Sequence, residues 1–203
     1  LPAGLPVWMS LVGAFIAIVI IKQLFGGLGY NFANPAIVGR IAMALGFTGA
    51  MTSYTYPENG IDALASATPL AVEETAQNAR SYVTLLLGNH GGVLGETCAI
   101  TLLIGGIYLI WTKVISPTIP VTYLATVAVL SLVSGRDPIY QLLSGGLMLG
   151  AFFMATDYVT SPVTKKGEII FGIGCGLLTV FIRYFGGYPE GVSYSILIMN
   201  TLV

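Results

Sequence analysis

The chain has 203 residues, of which 55% are hydrophobic and only 8% are charged. A soluble domain carries roughly 25% charged residues, so this composition excludes an ordinary soluble surface and indicates a protein of the lipid bilayer. The formal net charge of −1 gives no electrostatic basis for a nucleic-acid partner.

The first two predicted helices are Val7–Phe25 and the shorter Pro35–Thr48. The first is close to the length of about 20 residues that a helix needs to cross the hydrocarbon layer. Asn34 followed by Pro35 is typical of a helix start, with an N-cap and then a proline in the first turn. The chain begins at Leu1 without a methionine or a signal-peptide pattern, so we expect its N-terminal part to be missing.

Residues 49–80 form the one long polar segment of the sequence, and loops of that length usually carry a function or are disordered. Within it, the stretch IDALASATPLA (61–71) places Thr68 directly before Pro69. Because proline pushes the preceding residue out of the helical region, the hydroxyl of Thr68 is expected to project from an exposed loop. An ordinary loop rich in turn residues is the alternative interpretation.

The rest of the chain predicts further spans after the short apolar segment Ser81–Gly88. They are Val93–Lys113, Pro117–Ser134, Ile139–Tyr158, Glu168–Phe185 and the start of another at Val192–Val203. Together the elements predict an all-α integral membrane protein, a polytopic transmembrane helix bundle with short and broken helices that forms one domain over 1–203. The stretches 82–96 and 140–152 share a Tyr, a Leu pair and Gly-Gly. This similarity predicts two short elements, each of which enters the membrane from the outer side before a full span.

The basic residues predict the orientation of the bundle. If the 49–80 loop is external, all four lysines fall inside, at Lys22, Lys113, Lys165 and Lys166. Lysine enrichment on the cytoplasmic side is the usual rule, so we expect the 49–80 loop on the outer face.

Ionisable groups within or beside predicted spans are functional candidates because their burial in lipid is costly. They are Lys22, Arg40, Glu96, Asp157 and Arg183. We predict that Arg40, Glu96 and Asp157 belong to an ion path. The stretch ATDYVTSP (155–162) equally fits an Asp-x-x-Thr turn, which is the interpretation we favour for Asp157. Cys98 and Cys175 lack the spacing of a metal site and are expected to be inert.

The motif D-x-x-x-S-A-T, formed by Asp62, Ser66, Ala67 and Thr68, resembles the acceptor motif of flavin transferases. Residues 145–200 resemble the D-subunit family of Rnf ferredoxin:NAD⁺ oxidoreductases and, more distantly, the B subunits of the sodium-pumping NADH:quinone oxidoreductases. GGLGYNFANPA (26–36) is similar to a loop that precedes a helix in this family. The resemblance covers essentially the whole chain, although such proteins carry additional N-terminal spans.

The resemblance implies FMN joined through its phosphate to the hydroxyl of Thr68, and a non-covalent riboflavin within the membrane part. It implies a multi-pass subunit of the prokaryotic inner membrane that passes electrons while Na⁺ or H⁺ is translocated. Its partners would be the other Rnf-type subunits, the lipid bilayer and a flavin transferase for maturation. The subunit would not catalyse the overall reaction alone, because the sequence lacks an NAD fingerprint and iron–sulfur ligands.

Two other functions remain open from the sequence. A channel or transporter with broken helices would use the Asn-Pro-Ala and Gly-Gly elements to line a pore, without redox activity. A purely structural subunit with a degenerate acceptor site is the third hypothesis.

Overall fold

The computed structural model describes residues 1–53, 82–88, 92–93, 95–186 and 191–203. Within these ranges every regular element is helical, which confirms the all-α class for this part of the chain. In chain order the elements are α1 (Val7–Gln23, π-helical over Ile16–Gln23), α2 (Pro35–Gly46), α3 (Thr48–Met51), α4 (Tyr82–Leu87), α5 (Ala99–Trp111), α6 (Thr118–Val133), α7 (Pro138–Leu143), α8 (Leu147–Leu149, continued by a π-helical stretch over Gly150–Met154), α9 (Lys165–Phe185) and α10 (Val192–Asn200).

Helix length decides which elements are able to cross a membrane. Among the described residues, α9 alone is long and apolar enough by itself, with 21 residues and a mean hydropathy of 1.6. The other apolar helices, α1, α2, α5 and α6, have 10–17 residues. The predicted span Val93–Lys113 is helical only over Ala99–Trp111, and Glu96 lies in the turn before this helix. The multi-pass arrangement therefore stays a prediction.

The predicted span Ile139–Tyr158 is wrong as one continuous helix. It is broken between α7 and α8, where Ser144 is extended with φ −95° and ψ 142°. The next residue, Gly145, has φ 68°, a conformation that glycine adopts without the strain of a side chain. Hydropathy does not reveal the break, because the apolar residues continue through it.

The core forms where α6 packs along α9, with α10 beside them. A Cβ atom on Gly176 of α9 would lie 2.6 Å from the Cβ atom of Thr126, so glycine permits the close approach of the two helices. Three buried hydroxyls join the helices. Tyr123 Oη lies 2.6 Å from Thr179 Oγ1 and 3.1 Å from Ser195 Oγ, and these two oxygens are 2.7 Å apart.

A second helix pair, α1 and α2, packs through small residues. A Cβ atom on Gly39 would lie 2.9 Å from the carbonyl oxygen of Gly13. As predicted, Asn34 caps α2, since its side-chain oxygen accepts from the backbone N–H of Ala36 at 3.0 Å and of Ile37 at 3.4 Å. The start of this helix is therefore satisfied by its own cap.

The lysine end of the bundle comprises residues 113–118 and 154–168 and the start of α2. Tyr158 donates to the carbonyl oxygen of Val114, Lys165 Nζ donates to Ser116 Oγ at 3.0 Å, and the side chain of Asn34 donates to the carbonyl of Met154 at 3.4 Å. The structure thus gathers three of the four lysines that the sequence predicts on one side, Lys113, Lys165 and Lys166, at one end.

The arginine end comprises residues 134–137, the start of α4 and the end of α9. The guanidinium of Arg136 lies 4.1 Å from the ring centroid of Tyr184. Tyr82 donates to the carboxylate of Asp137, and this hydrogen bond raises the pKa of the Tyr82 phenol. Helices α4 and α7, which begin the two similar stretches of the sequence, meet at this end.

The outer surface of the described helices is strongly apolar. Large side chains with more than three quarters of their area exposed include Val7, Leu28, Trp111, Val133, Val163 and Phe185. Exposed apolar surface on this scale indicates that lipid or partner proteins cover the bundle.

Candidate functional site at the helix break

The break between α7 and α8 follows directly from local sequence. Asp137 caps α7, accepting from the backbone N–H of Ile139 at 2.9 Å, and Pro138 occupies the first helical position. The helix then ends after six residues, and Gly145 turns the chain before α8 begins. A break of this kind leaves carbonyl groups at the end of one helix and N–H groups at the start of the next.

The carbonyl side of the break is satisfied by Arg183 of α9. Its Nη1 donates to the backbone oxygen of Gln141 at 2.8 Å and to the side-chain oxygen of that residue at 3.1 Å, and its Nη2 donates to the backbone oxygen of Ser144 at 3.1 Å. A positive charge at the C-terminal end of a helix also complements the helix dipole. The sequence singled out Arg183 but not these partners.

Glu96 lies beside the N–H side of the break. A Cβ atom on Gly146 would lie only 2.9 Å from Glu96 Oε1, so the carboxylate reaches this position because residue 146 has no side chain. Glu96 is 6% exposed. Its negative charge lies near the first residues of α8, where the helix dipole is positive.

Glu96 forms an ion pair with Arg40 of α2. The side chains are 4% and 15% exposed, so the pair is largely removed from solvent. Two of the three residues predicted for an ion path therefore lie together, and the charge of each compensates the other. The partner of Arg40 was not evident from the sequence because 56 residues separate the two.

Asp157, the third predicted ion-path residue, lies apart from this pair at the lysine end. Its Oδ2 accepts from Thr160 Oγ1 at 3.0 Å, and its backbone oxygen accepts from the N–H of Ser161 at 3.0 Å. The side chain therefore belongs to the Asp-x-x-Thr turn that the sequence favoured. A role in ion transport stays a prediction for all three residues.

A cavity of about 310 Å³ adjoins the ion pair. Its wall is formed mainly by small residues of α1 and α2, together with the pair itself: Ser10, Gly13, Ala17, Gly39, Arg40 and Glu96. Its volume falls in the range of small-ligand pockets. Leu1 also lines it, so the cavity adjoins the start of the chain.

The predicted flavin attachment motif, Asp62, Ser66, Ala67 and Thr68, lies outside the described residues. The described residues that flank it are Ser53, just after α3, and Tyr82, at the start of α4. Helix α2 starts at the lysine end and has 12 residues, so a rise of about 1.5 Å per residue places its far end about 18 Å from there. On the other flank, Tyr82 contacts Asp137 at the arginine end. Both flanks of the motif therefore lie away from the lysine end.

Comparison with known proteins defines the class to which this helical chain belongs. The family model described as the NQR2, RnfD, RnfE family matches residues 1–203. The chain belongs to this family, which agrees with the resemblance drawn from the sequence.

The chain is similar to three curated D subunits. It is 52% identical over 204 residues to the D subunit of the Na(+)-translocating ferredoxin:NAD(+) oxidoreductase complex of Acetobacterium woodii, covering 98% of this chain and 64% of the relative. It is 44% identical over 220 residues to the proton-translocating counterpart of Clostridium ljungdahlii, covering 100% and 66%. It is 38% identical over 242 residues to the D subunit of the ion-translocating oxidoreductase complex of Stutzerimonas stutzeri, covering 100% and 68%. The chain thus spans about two thirds of the length of these relatives.

Proposed function

We propose that this chain is a membrane subunit of an ion-translocating ferredoxin:NAD⁺ oxidoreductase complex, in which it carries FMN on Thr68 and passes electrons. The observation that carries the proposal is the 52% identity to a known D subunit across 98% of the chain. The other Rnf-type subunits, the bilayer and a flavin transferase would be its partners. When bound, FMN supplies electron-transfer chemistry that side chains lack, and the protein supplies attachment and orientation.

The geometry of the described residues supports a location in the membrane. The apolar outer surface suits contact with lipid, and the α9 helix has the length of a span. The lysines gathered at one end favour that end as the cytoplasmic side. The flanks at Ser53 and Tyr82 then favour an external attachment loop, as the proposed flavinylation requires.

Replacing Thr68 with valine tests the flavin proposal. We expect the Thr68→Val complex to lose flavin fluorescence from this subunit on a denaturing gel, because valine has no hydroxyl to form the phosphoester. Thr52→Val is the matched control, since Thr52 is an exposed threonine beside the same loop and bonds only within its own helical turn. An unmodified Thr68 peptide in mass spectra of the native complex would contradict the proposal.

The break between α7 and α8 favours one alternative, a channel or transporter without redox activity, because transporters build sites at broken helices. That function predicts solute flux when the chain alone is placed in liposomes. It also predicts that Thr68→Val leaves the flux unchanged. Flux without a redox partner would therefore support the alternative over the proposed function.

A further inference from the structure

A second cavity, of about 280 Å³, lies at the lysine end between the start of α6, the 156–163 segment and the start of α9. Five of the residues that line it carry side-chain oxygens, beside four apolar residues: Ser116, Thr156, Tyr158, Ser161 and Glu168. Oxygen atoms of carboxylates and hydroxyls are the ligands that hard cations such as Na⁺ prefer. None of these residues belongs to the helix break.

The acidic member of the cavity is Glu168, which is only 7% exposed. Its Oε2 accepts from Ser116 Oγ at 2.8 Å, and Ser116 Oγ lies 3.1 Å from Thr118 Oγ1. Glu168 does not serve as the cap of α9, because Thr164 fills that position by accepting from the N–H of Gly167 at 3.1 Å. The buried carboxylate therefore faces the segment that starts α6 and not the N–H groups of its own helix.

A positive charge already lies against these oxygens. Lys165 Nζ is 3.2 Å from Glu168 Oε2 and 3.0 Å from Ser116 Oγ. The lysine side chain is 73% exposed, whereas that of Glu168 is 10% exposed. The ammonium is a compact point charge on a flexible stem, and exposed lysines gain little from such pairs. It therefore occupies the position that a free monovalent cation would take, and it is able to leave.

We propose that Glu168 and Ser116 form a binding site for a monovalent cation at the lysine end, with Lys165 as a tethered competitor. A single carboxylate suits one positive charge better than two. The site would give the proposed ion translocation a cation-binding step, yet it is argued from the cavity alone and does not depend on the flavin at Thr68.

The test is equilibrium binding of Na⁺ to the purified complex that contains the full-length chain. Thermal unfolding is measured over a series of NaCl concentrations, with choline chloride keeping the ionic strength constant, because a ligand that binds the folded state raises its stability. We expect Glu168→Gln and Ser116→Ala to weaken apparent Na⁺ binding. Lys165→Gln should tighten it by roughly fivefold or more, since the competitor is removed.

Lys166→Gln is the matched control. Lys166 is exposed and adjacent to Lys165, so this variant removes the same charge from the next residue. We expect it to change the apparent Na⁺ affinity only by the small amount that the loss of one surface charge causes. If Lys165→Gln binds Na⁺ no more tightly than Lys166→Gln, or if Glu168→Gln keeps the full response, the proposal is overturned. Should Glu168→Gln fail to assemble, Ser116→Ala and Lys165→Gln still decide the result. A complex that lacks flavin but shows these Na⁺ effects would contradict the flavin proposal and support the cation site.

Discussion

The Arg40–Glu96 pair shows how a charge is tolerated among apolar helices. Each side chain is largely buried, and an isolated buried charge costs far more than a paired one. The pair also joins α2 to the turn before α5, two segments that the chain separates widely. We therefore expect a large loss of folding stability when one partner is removed, and a small loss when both partners are replaced together.

Removing one partner should be strongly destabilising. We expect Arg40→Met or Glu96→Gln alone to lower the stability of the purified complex, by about 3–5 kcal/mol when the remaining group stays charged. The double variant should recover most of that loss, because no uncompensated charge remains. Thermal unfolding of the four proteins in a double-mutant cycle measures the coupling. Single variants no less stable than the double variant would show that the pair does not form.

At the scale of the elements, the broken helix is held by side chains from two distant segments of the described bundle. Arg183 satisfies the carbonyls at the end of α7, and Glu96 packs against Gly146 before α8. Each helix end thus faces a side chain of the charge that suits its dipole. The carbonyl groups of Gln141 and Ser144 at the break therefore have defined partners, as a frayed helix end would not.

The glycine at position 146 is expected to be indispensable for this arrangement. Gly146→Ala would place a methyl group 2.9 Å from Glu96 Oε1, and such overpacking costs about 1–3 kcal/mol. Gly46→Ala is the control, because no atom lies within 4 Å of a Cβ atom built there. In the helical Gly46 position, alanine should be neutral or stabilise by about 0.5–1 kcal/mol. Equal stability of the two variants, measured by thermal unfolding, would contradict the packing described for Glu96.

At the scale of the whole molecule, the lysine end and the flanks of the flavin motif lie apart. The family and the apolar surface support a membrane location, and the lysines suggest which end faces the cytoplasm. The proposed FMN attachment depends on this orientation, because the transferase must reach Thr68 from the outside.

Cysteine labelling in intact cells tests the orientation. In a Cys98→Ser background, where Cys175 remains but is fully buried, we expect Ser53→Cys to react with a membrane-impermeant maleimide from outside. Lys166→Cys should react only after the cells are permeabilised, since it lies at the lysine end. The reverse pattern would place the 49–80 loop in the cytoplasm and contradict the proposed site of flavinylation.

Local signals in the sequence predicted the helix starts and turns well. Asn34 with Pro35, and Asp157 with Thr160, depend on neighbouring residues and were found correctly. Hydropathy missed the break after Leu143 because the apolar pattern continues through it, whereas the Gly-Gly pattern shared by 82–96 and 140–152 predicted a short element there. The Arg40–Glu96 pair was also beyond prediction, since it depends on how distant helices pack. The flavin motif stays a prediction, because its residues lie outside the described ranges.

The charges that border the break have a consequence for ion movement. Among the described side chains at the break, Arg40 and Arg183 are cationic and Glu96 is anionic. Guanidinium groups at a constriction repel protons and metal cations, as they do in pores that exclude them. If Arg40 and Glu96 belong to an ion path, as predicted, their ion pair would have to open before a cation could bind the Glu96 carboxylate.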